Sequence, residues 1–122
     1  MRAARVLVVD DNRDLGENLG EILLDAGYET DVFDVPEEAL RALVPGRYSV
    51  AVLDLRMPTM DGVDLYRVLR ALDPSLRALA MTAYALDERV REALAAGMYK
   101  VLPKPLSAPE LLDGIENALV PR

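Results

Sequence analysis

The chain has 122 residues, of which 52% are hydrophobic and 29% charged, and a net charge of −7 at pH 7. This length suits one globular domain with its own core, and the acidic balance argues against direct binding to nucleic acid, which needs a basic surface. Because the chain has no cysteine and no histidine, disulfides, Cys/His zinc sites and histidine acid–base catalysis are excluded.

The sequence at the two ends of the chain predicts where the protein is located and how far its domain extends. The apolar run near the amino terminus is too short for a signal peptide or a membrane span, so we expect a cytoplasmic protein without membrane contact. Residues 1–119 are predicted to form the domain and residues 120–122 a tail. Because Leu119-Val120-Pro121-Arg122 matches the remnant of a cleaved purification tag, we expect a domain excised from a longer protein.

The first strand and helix set a pattern that the chain repeats. Val6–Val9 is an all-apolar run, typical of a strand buried on both faces of a parallel sheet. It ends in Asp10-Asp11-Asn12, residues suited to a loop and a helix N-cap. Apolar residues then recur at helical spacing up to Gly27, a predicted C-terminal cap. They are Leu15, Leu19, Ile22, Leu23 and Ala26.

A second strand is predicted over Tyr28–Phe33. The second helix begins at Pro36, which suits a first helical turn, and ends at Pro45-Gly46. We expect it to pack through Ala39, Leu40 and Leu43.

The third strand, Val50–Leu53, leads straight into Asp54. After Asp61, a predicted N-cap, a third helix runs to Asp73-Pro74. Its expected inward stripe is Leu65, Val68, Leu69 and Leu72.

Two more strands and helices complete the chain. The fourth strand, Leu76–Met81, is followed by Thr82-Ala83 and by a helix that Gly97 closes. The fifth strand, Tyr99–Leu102, ends in Pro103-Lys104-Pro105. The inward residues are predicted to be Leu86, Val90, Ala93 and Leu94 in the fourth helix, and Leu111, Leu112, Ile115, Ala118 and Leu119 in the fifth.

Five strand–helix repeats predict an α/β fold: a doubly wound five-stranded parallel sheet with five helices on both faces and strand order 2-1-3-4-5. The carboxyl ends of the strands meet at one edge, where ligands bind in such folds. Asp10 and Asp11, Asp54, Thr82 and Lys104 all fall at that edge. Taken singly, an aspartate there is more often a helix cap, but no helix begins directly after Asp54.

Lys104 is one of only two lysines among 14 basic residues, and it stands between two prolines. A compact ammonium can approach a carboxylate or a phosphoryl oxygen where a planar guanidinium would not fit. The alternative is a loop lysine with a solvated head group.

Four motifs resemble the receiver domains of two-component response regulators, over essentially the whole chain from Arg5 to Leu119. They are VLVVDDN at Val6–Asn12, VLDLRMPTMDG at Val52–Gly62, MTAY at Met81–Tyr84 and PKP at Pro103–Pro105. The resemblance implies the CheY-like, flavodoxin-like form of the fold and a phosphoacceptor signalling domain. Such a domain is not an enzyme beyond promoting its own phosphorylation and dephosphorylation, and any enzymatic output would lie in a parent chain.

The resemblance also implies the role of each site residue. Asp54 would accept the phosphoryl group, Asp10 and Asp11 would hold Mg²⁺ with Asp54, Thr82 would be the switch hydroxyl, and Lys104 would contact the phosphoryl group. The backbone carbonyl of Arg56 would complete the metal ligands, and the peptide bond before Pro105 would be cis.

The chemistry of these residue types agrees with the implied roles. Clustered carboxylates repel one another, and Mg²⁺, which prefers hard oxygen ligands, offsets that repulsion. Phosphoryl transfer needs an in-line nucleophile and positive charge near the equatorial oxygens, to which the Thr82 hydroxyl and the Ala83 amide can add hydrogen bonds.

The implied partners are a sensor histidine kinase or phosphotransfer protein as donor and an output partner or fused output domain. The switching surface would comprise the fourth helix, fifth strand and fifth helix, which could also form a homodimer. An aromatic residue usual in the fifth strand of this family is here Val101, so Tyr99 or Tyr84 would have to replace it.

Two other functions fit parts of the pattern. A docking module that needs no phosphorylation would keep the fold, and Val101 favours it slightly, whereas the complete set of site residues does not. A phosphatase of the haloacid dehalogenase type also places an aspartate after an apolar strand, but it carries a second aspartate two residues later, where this chain has Arg56.

Overall fold

The computed structural model describes residues 4–84 and 86–120. Within these ranges strands and helices alternate throughout. The strands are β1 (Arg5–Val9), β2 (Glu29–Phe33), β3 (Val50–Asp54), β4 (Arg77–Thr82) and β5 (Lys100–Pro103). The helices are α1 (Arg13–Asp25), α2 (Pro36–Ala42), α3 (Gly62–Leu72), α4 (Glu88–Ala96) and α5 (Ala108–Leu119).

All five strands pair in parallel in the order β2-β1-β3-β4-β5, which confirms the predicted fold. Each predicted strand lies within one residue of the observed one. The register places Val6 opposite Val50 and Asp54 opposite Met81, so the strands end together at one edge.

Side chains of β3 alternate between two cores. Val50 and Val52 join the core under α1 and α5, while Ala51 and Leu53 join the core under α2, α3 and α4. Because every residue of β3 is buried, the strand needs apolar residues on both faces, which is why its sequence does not alternate.

Polar caps fix where several helices begin. Asn12 accepts a hydrogen bond from the Leu15 amide at 3.2 Å, and the predicted cap Asp61 accepts one from Asp64 at 2.9 Å. Each cap satisfies an amide that has no partner inside its helix. α1 and α3 therefore start directly after the loops that follow β1 and β3.

The predicted inward faces of α3 and α4 are partly wrong. Val68, Leu72 and Leu94 are exposed, and Leu86 is 99% exposed and precedes α4. α3 instead buries Val63, Leu65, Tyr66 and Leu69, and α4 buries Ala93. Ala26, predicted inward, is also exposed after the end of α1. For Val68, Leu72 and Leu94 the contact of the helix with the sheet is narrower than the apolar stripe of the sequence, whereas Leu86 and Ala26 lie outside their helices.

Candidate functional site

Four polar residues gather at the carboxyl edge of the sheet. Asp10 follows β1, Asp54 ends β3, Thr82 ends β4 and Lys104 follows β5. These strands are neighbours in the sheet, so the topology alone brings their ends together. Asp10, Asp54 and Thr82 are buried, and the fifth site residue, Asp11, is exposed.

Three carboxylates form a cluster at this edge. Asp10, Asp11 and Asp54 each contribute one oxygen, and these three oxygens lie within 4.8 Å of one another. Asp10 Oδ1 accepts a hydrogen bond from the Asn12 amide at 2.9 Å, whereas the buried Oδ2 accepts none from the described residues. A divalent cation fits this arrangement, because hard oxygen ligands converge and one buried oxygen still lacks a hydrogen bond.

Lys104 supplies the positive charge of the cluster. Its Nζ lies 3.0 Å from Asp54 Oδ2 and 3.0 Å from Asp10 Oδ2, the second contact being an ion pair without hydrogen-bond alignment. Burial lowers the pKa of Lys104, but the two carboxylates outweigh burial and raise it. The Lys104 amide donates to the Thr82 carbonyl at 2.8 Å, and the Lys104–Pro105 peptide bond is cis, as expected.

The Asp54 carboxyl holds its proton more tightly than an ordinary aspartate. Burial, with repulsion from Asp10, raises its pKa from 3.8 to about 6, although hydrogen bonds from Lys104 and the Arg56 amide oppose the rise. The Arg56 amide donates to Asp54 Oδ1 at 3.2 Å, which places the backbone of Arg56 beside the carboxylate.

The raised pKa predicts a pH-dependent stability. Between pH 3.8 and about 6 the folded chain holds the Asp54 proton more tightly than the unfolded chain, so stability falls as pH rises through this window. At about 1.4 kcal/mol per pKa unit, the fall is about 3 kcal/mol. Urea unfolding of the metal-free chain from pH 4 to 7 should show that Asp54→Asn removes this component. A pH-independent difference between the two proteins would contradict it, and Asp64→Asn, on the exposed face of α3, is the control.

Thr82 is engaged with its own loop. Its hydroxyl accepts a hydrogen bond from the Tyr84 amide at 3.0 Å and lies 3.3 Å from the Tyr84 carbonyl, to which it donates. Ala83 is exposed, so its small side chain leaves the edge of the sheet open. The hydroxyl would have to leave Tyr84 before it could bond to a group on Asp54.

The aromatic residues expected to compensate for Val101 differ in burial. Val101 lies opposite Ala80 in the register of β4 and β5 and is half-buried. Tyr99 is half-buried against the α1 and α5 core, and Tyr84 is 64% exposed.

Gly62 is a positioning residue that entered the sequence interpretation only as the end of the VLDLRMPTMDG motif. A Cβ at Gly62 would lie 2.4 Å from the Asp54 carbonyl oxygen and 3.1 Å from the Leu55 Cα. The Gly62 amide also donates to the Leu55 carbonyl at 3.2 Å. The start of α3 therefore packs directly on the backbone that carries Asp54, and only glycine allows this approach. The signal in the sequence was a glycine directly after the predicted cap Asp61.

Two arginine–aspartate pairs near the cluster were not predicted. Arg56 contacts Asp87 with two nitrogens, Nε at 2.5 Å and Nη2 at 2.7 Å. Arg89 Nε lies 3.2 Å from Asp61 Oδ2. Both pairs join the loop after β3 to the start of α4.

A cleft of about 800 Å³ lies away from this cluster, at the amino ends of the strands, and residues such as Arg5, Asp31 and Arg47 line it. None of the predicted site residues lines this cleft. In the described part of the chain no helix has the length and apolar character that a membrane crossing requires.

Comparison with protein families gives a match to the model of the response regulator receiver domain over residues 6–116. A response regulator receiver protein of Anaeromyxobacter sp. is 42% identical over 89% of this chain and 46% of its own length. The response regulator FleR of Pseudomonas aeruginosa is 41% identical over 91% of this chain and 24% of its own length. The chain thus spans a quarter to a half of these relatives.

Solved structures agree with the fold and the family. A CheY-like receiver domain protein from Methanospirillum hungatei superposes with a TM-score of 0.90 at 28% identity and covers 97% of this chain and 94% of its own. The chemotaxis protein CheY4 of Vibrio cholerae superposes with a TM-score of 0.89 at 29% identity, over 97% of this chain and all of its own.

Proposed function

Because the chain belongs to the response regulator receiver domain family, we propose that it takes a phosphoryl group from a phosphohistidine donor onto Asp54 with Mg²⁺ and switches its α4–β5–α5 surface. Receiver domains are signalling domains of response regulators, which act with histidine kinases. The donor here would be a sensor kinase or phosphotransfer protein, and the output a partner or a fused domain.

One observation carries the proposal: the Nζ of Lys104 lies 3.0 Å from both Asp10 and Asp54 within a cluster of three carboxylates. A structural ion pair would need one aspartate and one lysine. Here a nucleophile, two further carboxylates and a cation converge at the edge of the sheet where ligands bind. Phosphoryl transfer needs this combination of an oxygen nucleophile and nearby positive charge.

Each residue has a defined part in the transfer. An ionised Asp54 oxygen attacks phosphorus while the phosphorus–nitrogen bond to the donor imidazole breaks, and the imidazole leaves with the electron pair of that bond. The Lys104 ammonium offsets the charge on the phosphoryl oxygens, and the Ala83 amide and Thr82 hydroxyl can donate to them. Asp10, Asp11, Asp54 and the Arg56 carbonyl would hold Mg²⁺, which supplies further positive charge to the phosphoryl oxygens.

Formal charges support this set of ligands. Three aspartates contribute minus three, Mg²⁺ plus two and Lys104 plus one, so the loaded site is close to neutral. Transfer of a phosphoryl group then adds negative charge and new acceptor oxygens next to Thr82. The hydroxyl would exchange Tyr84 for the phosphoryl group, which moves the segment before α4.

Docking that does not require phosphorylation is the second candidate function, and Val101 favours it because the usual aromatic residue is missing from β5. Such a module has no reason to retain affinity for Mg²⁺. The two functions therefore differ in an observable that does not depend on the identity of any partner.

We expect the chain to bind Mg²⁺ at pH 7.5, and Asp10→Asn to weaken that binding about tenfold or more, because it removes a charged ligand. Titration followed by calorimetry or amide NMR shifts measures this. Glu17→Gln, which removes an exposed carboxylate on α1, is the matched control. Absence of Mg²⁺ binding, or equal binding by Asp10→Asn, would favour the docking function.

A further inference from the structure

The start of α4 is joined to the loop after β3 by two crossed ion pairs, which we call the double clamp: Arg56–Asp87 and Arg89–Asp61. Arg56 offers a two-pronged guanidinium contact to both oxygens of Asp87. Such bidentate pairs are among the stronger charge-assisted hydrogen bonds and fix the relative orientation of their partners.

Asp87 has two contacts: it pairs with Arg56, and it caps α4. Its side chain is fully buried, while that of Arg56 is 58% exposed. Asp87 Oδ1 also accepts a hydrogen bond from the Arg89 amide at 2.9 Å and so caps α4. The donors from Arg56 and from the Arg89 amide together tie the Asp87 carboxylate to the loop after β3.

Arg56 contacts both the phosphoryl site and α4. Its amide donates to Asp54 Oδ1 at 3.2 Å, and its guanidinium holds Asp87. Asp61, the partner of Arg89, caps α3 immediately before Gly62, which packs on the Asp54 backbone. Both halves of the double clamp are therefore anchored within the loop that begins at Asp54.

The double clamp holds the residue before α4 and the first turn of α4. Asp87 is held by Arg56, and Arg89 is held by Asp61. Both contacts are present together with the hydrogen bond from the Tyr84 amide to the Thr82 hydroxyl. Under the proposed function, Thr82 exchanges this bond for the phosphoryl group, and α4 shifts with it.

Resting on the proposed function, we propose that Asp87 and Arg89 are positioning residues whose double clamp holds α4 in its unphosphorylated place and so limits how readily Asp54 accepts a phosphoryl group. The double clamp would also couple the Asp54 site to α4 in a chain whose β5 carries Val101 in place of the aromatic residue that is usual in this family. By linkage, weakening a contact that exists only in the unphosphorylated state raises affinity for the phosphoryl group.

The test uses beryllofluoride, a non-transferable analogue of the phosphoryl group, with saturating Mg²⁺. We expect Asp87→Asn and Arg89→Gln each to bind it about fivefold or more tightly than the unchanged chain. Asn keeps the ability to cap α4. The two variants change net charge in opposite directions, so an effect of charge alone on this anion would have opposite signs in the two.

The controls are Glu17→Gln and Arg13→Gln, which break an exposed pair on α1 with the same two charge changes. Tighter binding by both clamp variants and not by the controls supports the inference. Effects of opposite sign, or unchanged or weaker binding in either clamp variant, overturn it. If the substitutions only disordered the start of α4, they would weaken beryllofluoride binding, because the site would then be less well ordered.

Failure of the proposed function gives a different result. If the unchanged chain does not bind beryllofluoride with Mg²⁺, the phosphoacceptor role fails, and hydrogen exchange without any additive then decides whether the double clamp holds α4. Amides from Arg91 to Ala96 should exchange about tenfold faster in Asp87→Asn than in the unchanged chain or Glu17→Gln. Equal exchange would overturn the holding role.

Discussion

Lys104→Ala is expected to slow phosphorylation of Asp54 by about a hundredfold or more. The lysine is the positive side chain within 3.0 Å of Asp54, and loss of one preorganised donor to developing charge costs about 10²–10³ in rate. The variant also leaves the buried Asp10 and Asp54 carboxylates without their ammonium, so saturating Mg²⁺ must be present for both proteins to offset the repulsion between the carboxylates.

The rate is measured with phosphoramidate and Mg²⁺, and circular dichroism verifies that the variant is folded. Lys100→Ala is the matched control, because Lys100 is the other lysine of the chain and lies exposed on β5. Lys104→Arg should recover little, since a planar guanidinium does not fit between two carboxylates as a point charge does. Phosphorylation of Lys104→Ala at the rate of Lys100→Ala would contradict the role of Lys104.

Gly62→Ala is expected to destabilise the chain by about 3 kcal/mol and to displace Asp54. The new Cβ would lie 2.4 Å from the Asp54 carbonyl oxygen, and backbone cannot move aside as a side chain can. Overpacking of this kind costs about 1–3 kcal/mol, occasionally more. The same displacement should weaken Mg²⁺ binding, because Asp54 is one of the three clustered carboxylates.

Gly114→Ala is the control for the Gly62 prediction. Its Cβ would also be buried in a helix, but it would meet the end of the Leu79 side chain at 3.0 Å, and alanine favours a helix over glycine by about 1 kcal/mol. Urea unfolding should therefore separate the two variants by about 2 kcal/mol or more. Equal stabilities would show that the start of α3 can move away from Asp54 at little cost.

The sheet and its order could be predicted because its strands are buried on both faces. Runs such as Val6–Val9 and Val50–Leu53 contain no exposed position, so they read as continuous apolar segments bounded by polar turns. Parallel strands joined by helices leave few topologies. The same rule placed Asp10, Asp54 and Lys104 at one edge, and the structure brings them together.

The faces of α3 and α4 could not be predicted from apolar spacing alone. Val68 and Leu72 satisfy the helical period, but α3 buries Tyr66 with Leu69, since contact with the sheet decides which part of a wide apolar stripe is covered. Leu86 lies before Asp87, and the Asp87 cap places the start of α4 after it.

The double clamp was also beyond prediction from sequence. Arg56 and Asp87 are 31 residues apart, and both belong to loops, where neither helical nor strand spacing applies. Asp61 was predicted correctly as a cap, but its second role as the partner of Arg89 depends on how α3 and α4 pack. Contacts between loops of this kind follow from the tertiary structure and have no local signal.

The most direct test of Asp54 as phosphoacceptor is the intact mass of the chain after incubation with phosphoramidate and Mg²⁺. We expect the mass to increase by one phosphoryl group, and the increase to disappear in alkali, where acyl phosphates hydrolyse, and to be absent in Asp54→Ala or when Mg²⁺ is chelated. An unchanged mass, or the same increase in Asp54→Ala, would contradict the proposal.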